Sequence, residues 1–320
     1  MPVLVTGGAG FIGSHLVTAL VEGGARVRIL DDLSSGRRAN LAAISDRCEL
    51  RVGDLRDAAA CRAACAGVRL VFHQAALGSV PRSVERPEET IAVNVAGTAA
   101  LLTAARDEGV ERFVYASSSA VYGDSAALPQ REGEEGRPQS PYALSKRLGE
   151  ELAESFQRLF GLQCVGLRYF NVYGPRQDPT GPYAAVIPRF VAALLAGTPP
   201  AIHGDGGQSR DFLHVADAVA ANLCAAVAPP AACGAAYNVA SGRGTSLLEL
   251  LALLGGALGR GLAPRHEAPR TGDLRHSRAD TTLAAERLGF RAAVDLDSGL
   301  RASLPWYREL FADGRQPPLG

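Results

Sequence analysis

Tyr142 and Lys146 lie four residues apart in the run Ser140-Pro-Tyr-Ala-Leu-Ser-Lys146. On a helix that spacing puts both on one face, one turn apart. A lysine ammonium beside a phenol favours the phenolate and draws its pKa from about 10 toward neutrality. A phenolate at neutral pH can take a proton from an alcohol as that alcohol loses hydride. Pro141 suits a helix start, because its missing N–H has no intrahelical partner there and its φ is preset. Ser140 precedes it as an N-cap, and the residues through Phe160 read as helix. Alone, Tyr-x-x-x-Lys arises by chance on surface helices, so its weight comes from the rest of the chain.

The N-terminal stretch supplies a partner for hydride chemistry. Val3-Leu-Val5 is a short apolar run of the kind a buried parallel strand needs. Thr6-Gly-Gly-Ala-Gly-Phe-Ile-Gly13 follows, then an amphipathic helix from Phe11 to Glu22 that ends at Gly23-Gly24. The next strand, Arg26–Leu30, is closed by Asp31. Glycines at 7, 10 and 13 allow a tight turn, close approach of a pyrophosphate, and close helix–strand packing. The helix start then offers N–H groups and a positive dipole end to phosphate. Asp31, 18 residues after Gly13, is placed to accept from ribose hydroxyls and to repel a 2′-phosphate, which favours NAD over NADP.

The strand–helix alternation continues. Glu49–Val52 reads as a strand with Asp54-Leu55 at its end, and Leu70–His73 as the next, followed by Gln74 and small residues through Gly78. Glu88–Glu108 reads as one helix carrying Asn94, and Arg112–Ala116 as a strand running into Ser117-Ser-Ser119. Repeated β-α units imply a parallel sheet with helices on both faces, with ligands at the carboxyl ends of its strands. Ser118 is the candidate partner of Tyr142, since a hydroxyl both accepts and donates. Three serines in a row leave that register open by one.

The strand–helix alternation gives an α/β class, and the composition is that of a soluble globular protein: 47% hydrophobic, 21% charged, formal net charge zero. A neutral balance argues against a nucleic-acid partner or an anionic membrane. The six cysteines have neither Cys-x-x-Cys pairing nor zinc spacing, so we expect reduced thiols, no metal, and a cytoplasmic location. No signal peptide is read before the first strand, and the apolar stretch Leu247–Leu258 is too short to span a bilayer.

Together these residues resemble the extended short-chain dehydrogenase/reductase superfamily, and within it the nucleotide-sugar 4-epimerases, especially those acting on UDP-N-acetylglucosamine. The likeness runs nearly the whole length. It includes Thr6–Leu16, His73–Pro81, Tyr115–Gly123, Leu167–Pro179, Tyr183–Pro188, Ser209–Val215 and Gly272–Ser277. The resemblance implies a catalytic set of Ser118, Tyr142 and Lys146. It implies that NAD is lined by Gly7, Gly10, Phe11, Ile12, Asp31, Asp54, Leu55, Gln74, Asn94, Tyr142, Lys146 and Tyr169. It implies that the UDP-sugar is lined by Gly78, Ser79, Ser118, Ser119, Asn171, Ala185, Val186, His203, Arg210, Arg270, Asp273 and Ser277. A homodimer through the helices near Glu88–Glu108 and Tyr142–Phe160 is also implied, although those apolar faces suit an ordinary core equally. Many members carry lysine where Gly78 stands and a hydroxyl where Ala120 stands.

After Tyr169 the β-α rhythm loosens, and a smaller substrate lobe is expected. The division is a Rossmann-type NAD domain over 1–168, completed by a return near 211–239 in which the chain rejoins the sheet near Ala236–Val239, and a discontinuous UDP-sugar domain over 169–320. Arg210 and Arg270 suit a diphosphate, because guanidinium forks pair phosphate oxygens bidentately. His203 can stack on a base. Ser277 leaves room for a 2-acetamido group and offers it a hydroxyl. Among rival readings, a 4,6-dehydratase carries Asp-Glu where Ser119-Ala120 stand here. A uronate epimerase carries arginine at Asp178 and threonine at Asn171. An epimerase for unacetylated UDP-glucose stays open. A non-enzymatic NAD-binding regulator is disfavoured by the intact Tyr/Lys pair.

Overall fold

The computed structural model describes residues 2–179, 184–268 and 274–312. It opens with β1 (Val3–Thr6), α1 (Phe11–Glu22), β2 (Val27–Asp31), β3 (Cys48–Val52), α2 (Ala58–Cys65) and β4 (Leu70–His73). Next come α3 (Val80–Glu85), α4 (Pro87–Ile91), α5 (Thr98–Asp107), β5 (Arg112–Ser118), α6 (Pro141–Phe160) and β6 (Gln163–Tyr169). The second half holds β7 (Val172–Tyr173), α7 (Val186–Ala196), β8 (Ala201–His203), β9 (Ser209–Asp211), β10 (Leu213–His214), α8 (Val215–Val227) and β11 (Ala235–Val239). It ends with β12 (Gly244–Ser246), α9 (Leu247–Leu258), β13 (Arg265–Glu267), α10 (Thr282–Leu288) and α11 (Leu296–Ala312).

Seven strands form one sheet in the order β11-β6-β5-β4-β1-β2-β3, and every pairing in it is parallel. The strand order reverses between β1 and β4, which opens a crevice at their carboxyl ends. Period-two alternation sends neighbouring residues to opposite faces. Leu4, Val71, Phe113 and Cys164 pack with α2, α5 and α6, whereas Val5, Phe72, Val114 and Val165 pack with α1 and α8. A separate core of Ile187, Phe190, Leu250, Leu254, Leu304 and Tyr307 joins α7, α9 and α11. The chain leaves the sheet after β6 and returns as β11, so the second lobe is partly inserted before the sheet's last strand. Among the described residues no helix is long and apolar enough to cross a membrane.

The expected helix over Glu88–Glu108 is present, continuous from Pro87 to Asp107, with one local departure. Between α4 and α5 the backbone widens into a π-helical turn over Ala92–Gly97. That turn carries Asn94, whose buried amide accepts from Leu77 N at 2.8 Å and donates to Leu77 O at 3.1 Å. Such widened turns recur where a side chain must leave the helical register for a task. Here it holds the strand-end loop 74–78 against the helix layer.

Candidate active site

The α6 helix begins as its residues dictate. Ser140 Oγ accepts from Ala143 N at 3.1 Å, Pro141 occupies the first turn, and Gly161 ends the helix in the left-handed region at φ 72°. The helix lies beside the carboxyl end of β5, and the register left open is resolved. Ser118 is the serine hydrogen-bonded to the Tyr142 phenol, Ser117 turns to the opposite face, and Ser119 starts a 3₁₀ turn.

Lys146 shares a face of α6 with Tyr142, as the spacing predicts. Its ammonium donates to Ala116 O at 2.8 Å and sits 5.9 Å from the centre of the Tyr142 ring. Burial raises the Tyr142 phenol above its ordinary value, and the bond to Ser118 opposes that rise. Burial also lowers Lys146 to about 8, with Glu150 pulling it back up. Lys146 is the only lysine in the chain; the rest of the 33 Lys and Arg residues are arginines. An arginine cannot titrate near neutrality, whereas a buried lysine can.

These groups face a cleft of about 840 Å³, within the range of small-molecule sites. Of the cofactor set, Gly7, Gly10, Phe11, Ile12, Asp31, Asp54, Leu55, Gln74, Tyr142, Lys146 and Tyr169 line it. Asn94 does not; it supports the lining from behind. The chain fits a dinucleotide by its own geometry. Gly7 has φ 67°, and a Cβ there would lie 2.6 Å from Ala75 N. A Cβ on Gly13 would lie 2.1 Å from Gly7 O. Both contacts are closer than any side chain tolerates, so the turn keeps bare backbone toward the phosphate position. Asp31 is buried at the end of β2, where desolvation raises its carboxyl while the Leu33 and Ala9 amides hold it down. Each oxygen takes one amide bond, at 2.8 and 2.9 Å, and keeps a lone pair for a ribose hydroxyl. Gly13→Ala is therefore expected to purify with little bound dinucleotide and to melt at lower temperature. Extraction of denatured protein for cofactor content checks this; wild-type content would contradict it.

Of the substrate set, Gly78, Ser118, Ser119, Asn171, Arg210 and Ser277 line the same cleft. Ser79 caps α3 through a bond from Arg82 N at 3.2 Å. Ala185 and Val186 begin α7 outside the lining, and His203 sits on β8 with Nδ1 3.2 Å from Ala268 O. Arg270 and Asp273 lie outside the described residues. One detail of Ser277 is corrected: its hydroxyl donates to Gln130 Oε1 at 3.0 Å, so it offers a ligand space rather than a free donor. Sequence reasoning missed Asn222 on α8, which donates to the Tyr169 hydroxyl at 2.6 Å and accepts from Gln74 Nε2 at 2.9 Å. Nothing local marks that residue. It also missed Glu150, which the four-residue spacing from Lys146 already placed on the same helical face.

The model of the NAD dependent epimerase/dehydratase family matches residues 3–240. A UDP-glucose 4-epimerase of Mycolicibacterium smegmatis is 43% identical over 317 residues, covering 96% of this chain and 99% of that protein. A UDP-N-acetylglucosamine 4-epimerase of Methanobrevibacter ruminantium, solved with UDP-N-acetylmuramic acid, superposes with a TM-score of 0.92. It is 38% identical and covers 97% of this chain and 98% of its own. The UDP-glucose 4-epimerase of Thermus thermophilus, solved with NAD, has a TM-score of 0.85 and 37% identity, with 96% and 99% coverage.

Proposed function

The chain belongs to the NAD dependent epimerase/dehydratase family, and from that premise we propose that it interconverts UDP-N-acetylglucosamine and UDP-N-acetylgalactosamine. At the coarser level it is an isomerase, a nucleotide-sugar 4-epimerase that uses NAD. The observation that carries the finer reading is Ser277, a small side chain on the cleft wall near Arg210 and Asn171.

NAD, held along the Gly7–Gly13 turn and Asp31, would supply reversible hydride acceptance at C4, with no net oxidation of the sugar. Tyr142, as phenolate, removes the C4 hydroxyl proton and later gives it back. Ser118 holds the same oxygen and relays its proton to Tyr142. Lys146 places a positive charge behind the phenolate. Asp31 holds the ribose, and Arg210 takes the diphosphate, with Arg270 assigned the same task. The sheet lobe carries the cofactor and the lobe after Tyr169 carries the sugar. Two copies pair through the helices near Glu88–Glu108 and Tyr142–Phe160, the second of which exposes Leu144, Leu159 and Phe160.

Dehydration at C5 and C6 needs an added acid and base, and Ser119 and Ala120 supply neither. A uronate needs a cation near C6, whereas Asp178 is an acid paired with Arg37 at 2.6 Å. Incubation with UDP-glucose, UDP-N-acetylglucosamine and UDP-glucuronate in turn, with product identification, tests the reading. UDP-N-acetylgalactosamine is the expected main product. Turnover of UDP-glucose alone would replace this proposal with a UDP-glucose 4-epimerase.

A further inference from the structure

The α6 helix grips the end of β5 at three points with four-residue spacing. Tyr142 meets Ser118, Lys146 meets the carbonyl of Ala116 at 2.8 Å, and Glu150 meets Ser117. In the third contact Ser117 Oγ donates to Glu150 Oε1 at 2.5 Å, and both residues are buried. Arg168, opposite Ser117 on β6, donates to the two Glu150 oxygens at 2.8 and 2.7 Å. Arg168 also pairs with Glu135 and donates to the Tyr122 hydroxyl at 3.1 Å. Glu150, Glu135 and Glu132 thus surround the Arg168 guanidinium, and Glu150 is the one of the three that lies a single helical turn from Lys146.

We propose that Glu150 is a positioning residue of the active site: it fixes the Ser117–Ser118 end of β5 against α6 and sets a negative charge one helical turn from the Lys146 ammonium. The inference rests on the reading of Tyr142 and Lys146 as the proton-transfer pair. The titratable and charged groups facing this corner are Glu132 and Glu135 from the loop before α6, Arg168 and Cys164 from β6, Tyr115 from β5, Tyr122 from the turn after it, His73 from β4, and Glu154 on α6. Burial keeps His73 neutral near pH 7, with a pKa of about 3, and pushes Tyr115 and Tyr122 well up. Glu150 is therefore the acid one turn from Lys146 along α6, and Glu154 lies a further turn away.

The sign follows from charge. Removing a carboxylate next to an ammonium makes the ammonium a stronger acid. Because the chain has one lysine, protein grown on isotope-labelled lysine gives a single side-chain titration by NMR. In NAD-loaded Glu150→Gln, the Lys146 pKa is expected to fall by about one unit, and the alkaline limb of kcat to move down with it. If that variant does not fold because Arg168 loses a partner, Glu150→Asp keeps the charge for Arg168 but draws it back along the helix, and a smaller fall of the same sign is expected. A folded variant in which the lysine titration is unchanged overturns the proposal. So does a lysine shift that leaves the kcat profile in place. The lysine titration needs no sugar, so a protein inactive on every UDP-sugar would sink the proposed substrate while still deciding the role of Glu150.

Discussion

Tyr142→Phe is expected to lose about 10²- to 10⁴-fold in kcat, the range a positioned acid–base group supplies, while still binding NAD and UDP-sugar. The deletion is confined to one oxygen. The ring stays in place because α6 is fixed by its own cap and by the bond from Tyr142 N to Ser83 Oγ at 3.1 Å. Ser118 Oγ keeps its bond from Ala120 N at 3.2 Å, so no hydroxyl is stranded. Stability should therefore change by no more than about 1 kcal/mol, the worth of one hydrogen bond. Turnover, melting temperature and cofactor content measured together separate chemistry from folding. A Phe variant with near-normal turnover would remove Tyr142 from the mechanism.

The second large effect concerns the sugar. Ser277→Tyr should lower kcat/KM for UDP-N-acetylgalactosamine relative to UDP-galactose by roughly 10- to 100-fold, the equivalent of about 1–3 kcal/mol of overpacking. Position 277 is pinned. Its N–H donates to Ser209 O at 3.1 Å, and its side chain is backed by Gln130, itself 2% exposed. A phenol ring finds no room on the Gln130 side, so it must enter the cleft. There it meets the bulkier sugar first, which is discrimination by clash. The ratio of the two kcat/KM values before and after the change is the measurement. An unchanged ratio in a folded, active variant would take Ser277 out of the specificity argument.

What is legible in the sequence is whatever short-range physics dictates. The glycine turn after β1, the cap and proline of α6, and the return of Ala236–Val239 to the sheet all follow from residue type and period. The widened turn at Ala92–Gly97 is not legible, because the partners its Asn94 meets, the Leu77 backbone and Ser145, are distant in the chain. The behaviour of Lys146 escapes the sequence for a similar reason. Helical spacing shows that it shares a face with Tyr142, but only β5 provides the Ala116 carbonyl that takes its proton donor. Arg168 reads in sequence as one more arginine within a strand. Its burial between Glu135 and Glu150 is a product of three segments meeting.

The solitary lysine also makes the chain its own unfolding gauge. A protease that cuts only after lysine has one internal target, the Lys146–Arg147 bond in the second turn of α6. That bond is closed to a protease while the helix is packed between β5 and α5, so cleavage requires α6 to open. When reclosing outpaces cutting, the rate reports the population of the opened state. Ligands that bind only the closed helix protect it by mass action. The number of fragments stays at two whatever else in the molecule loosens.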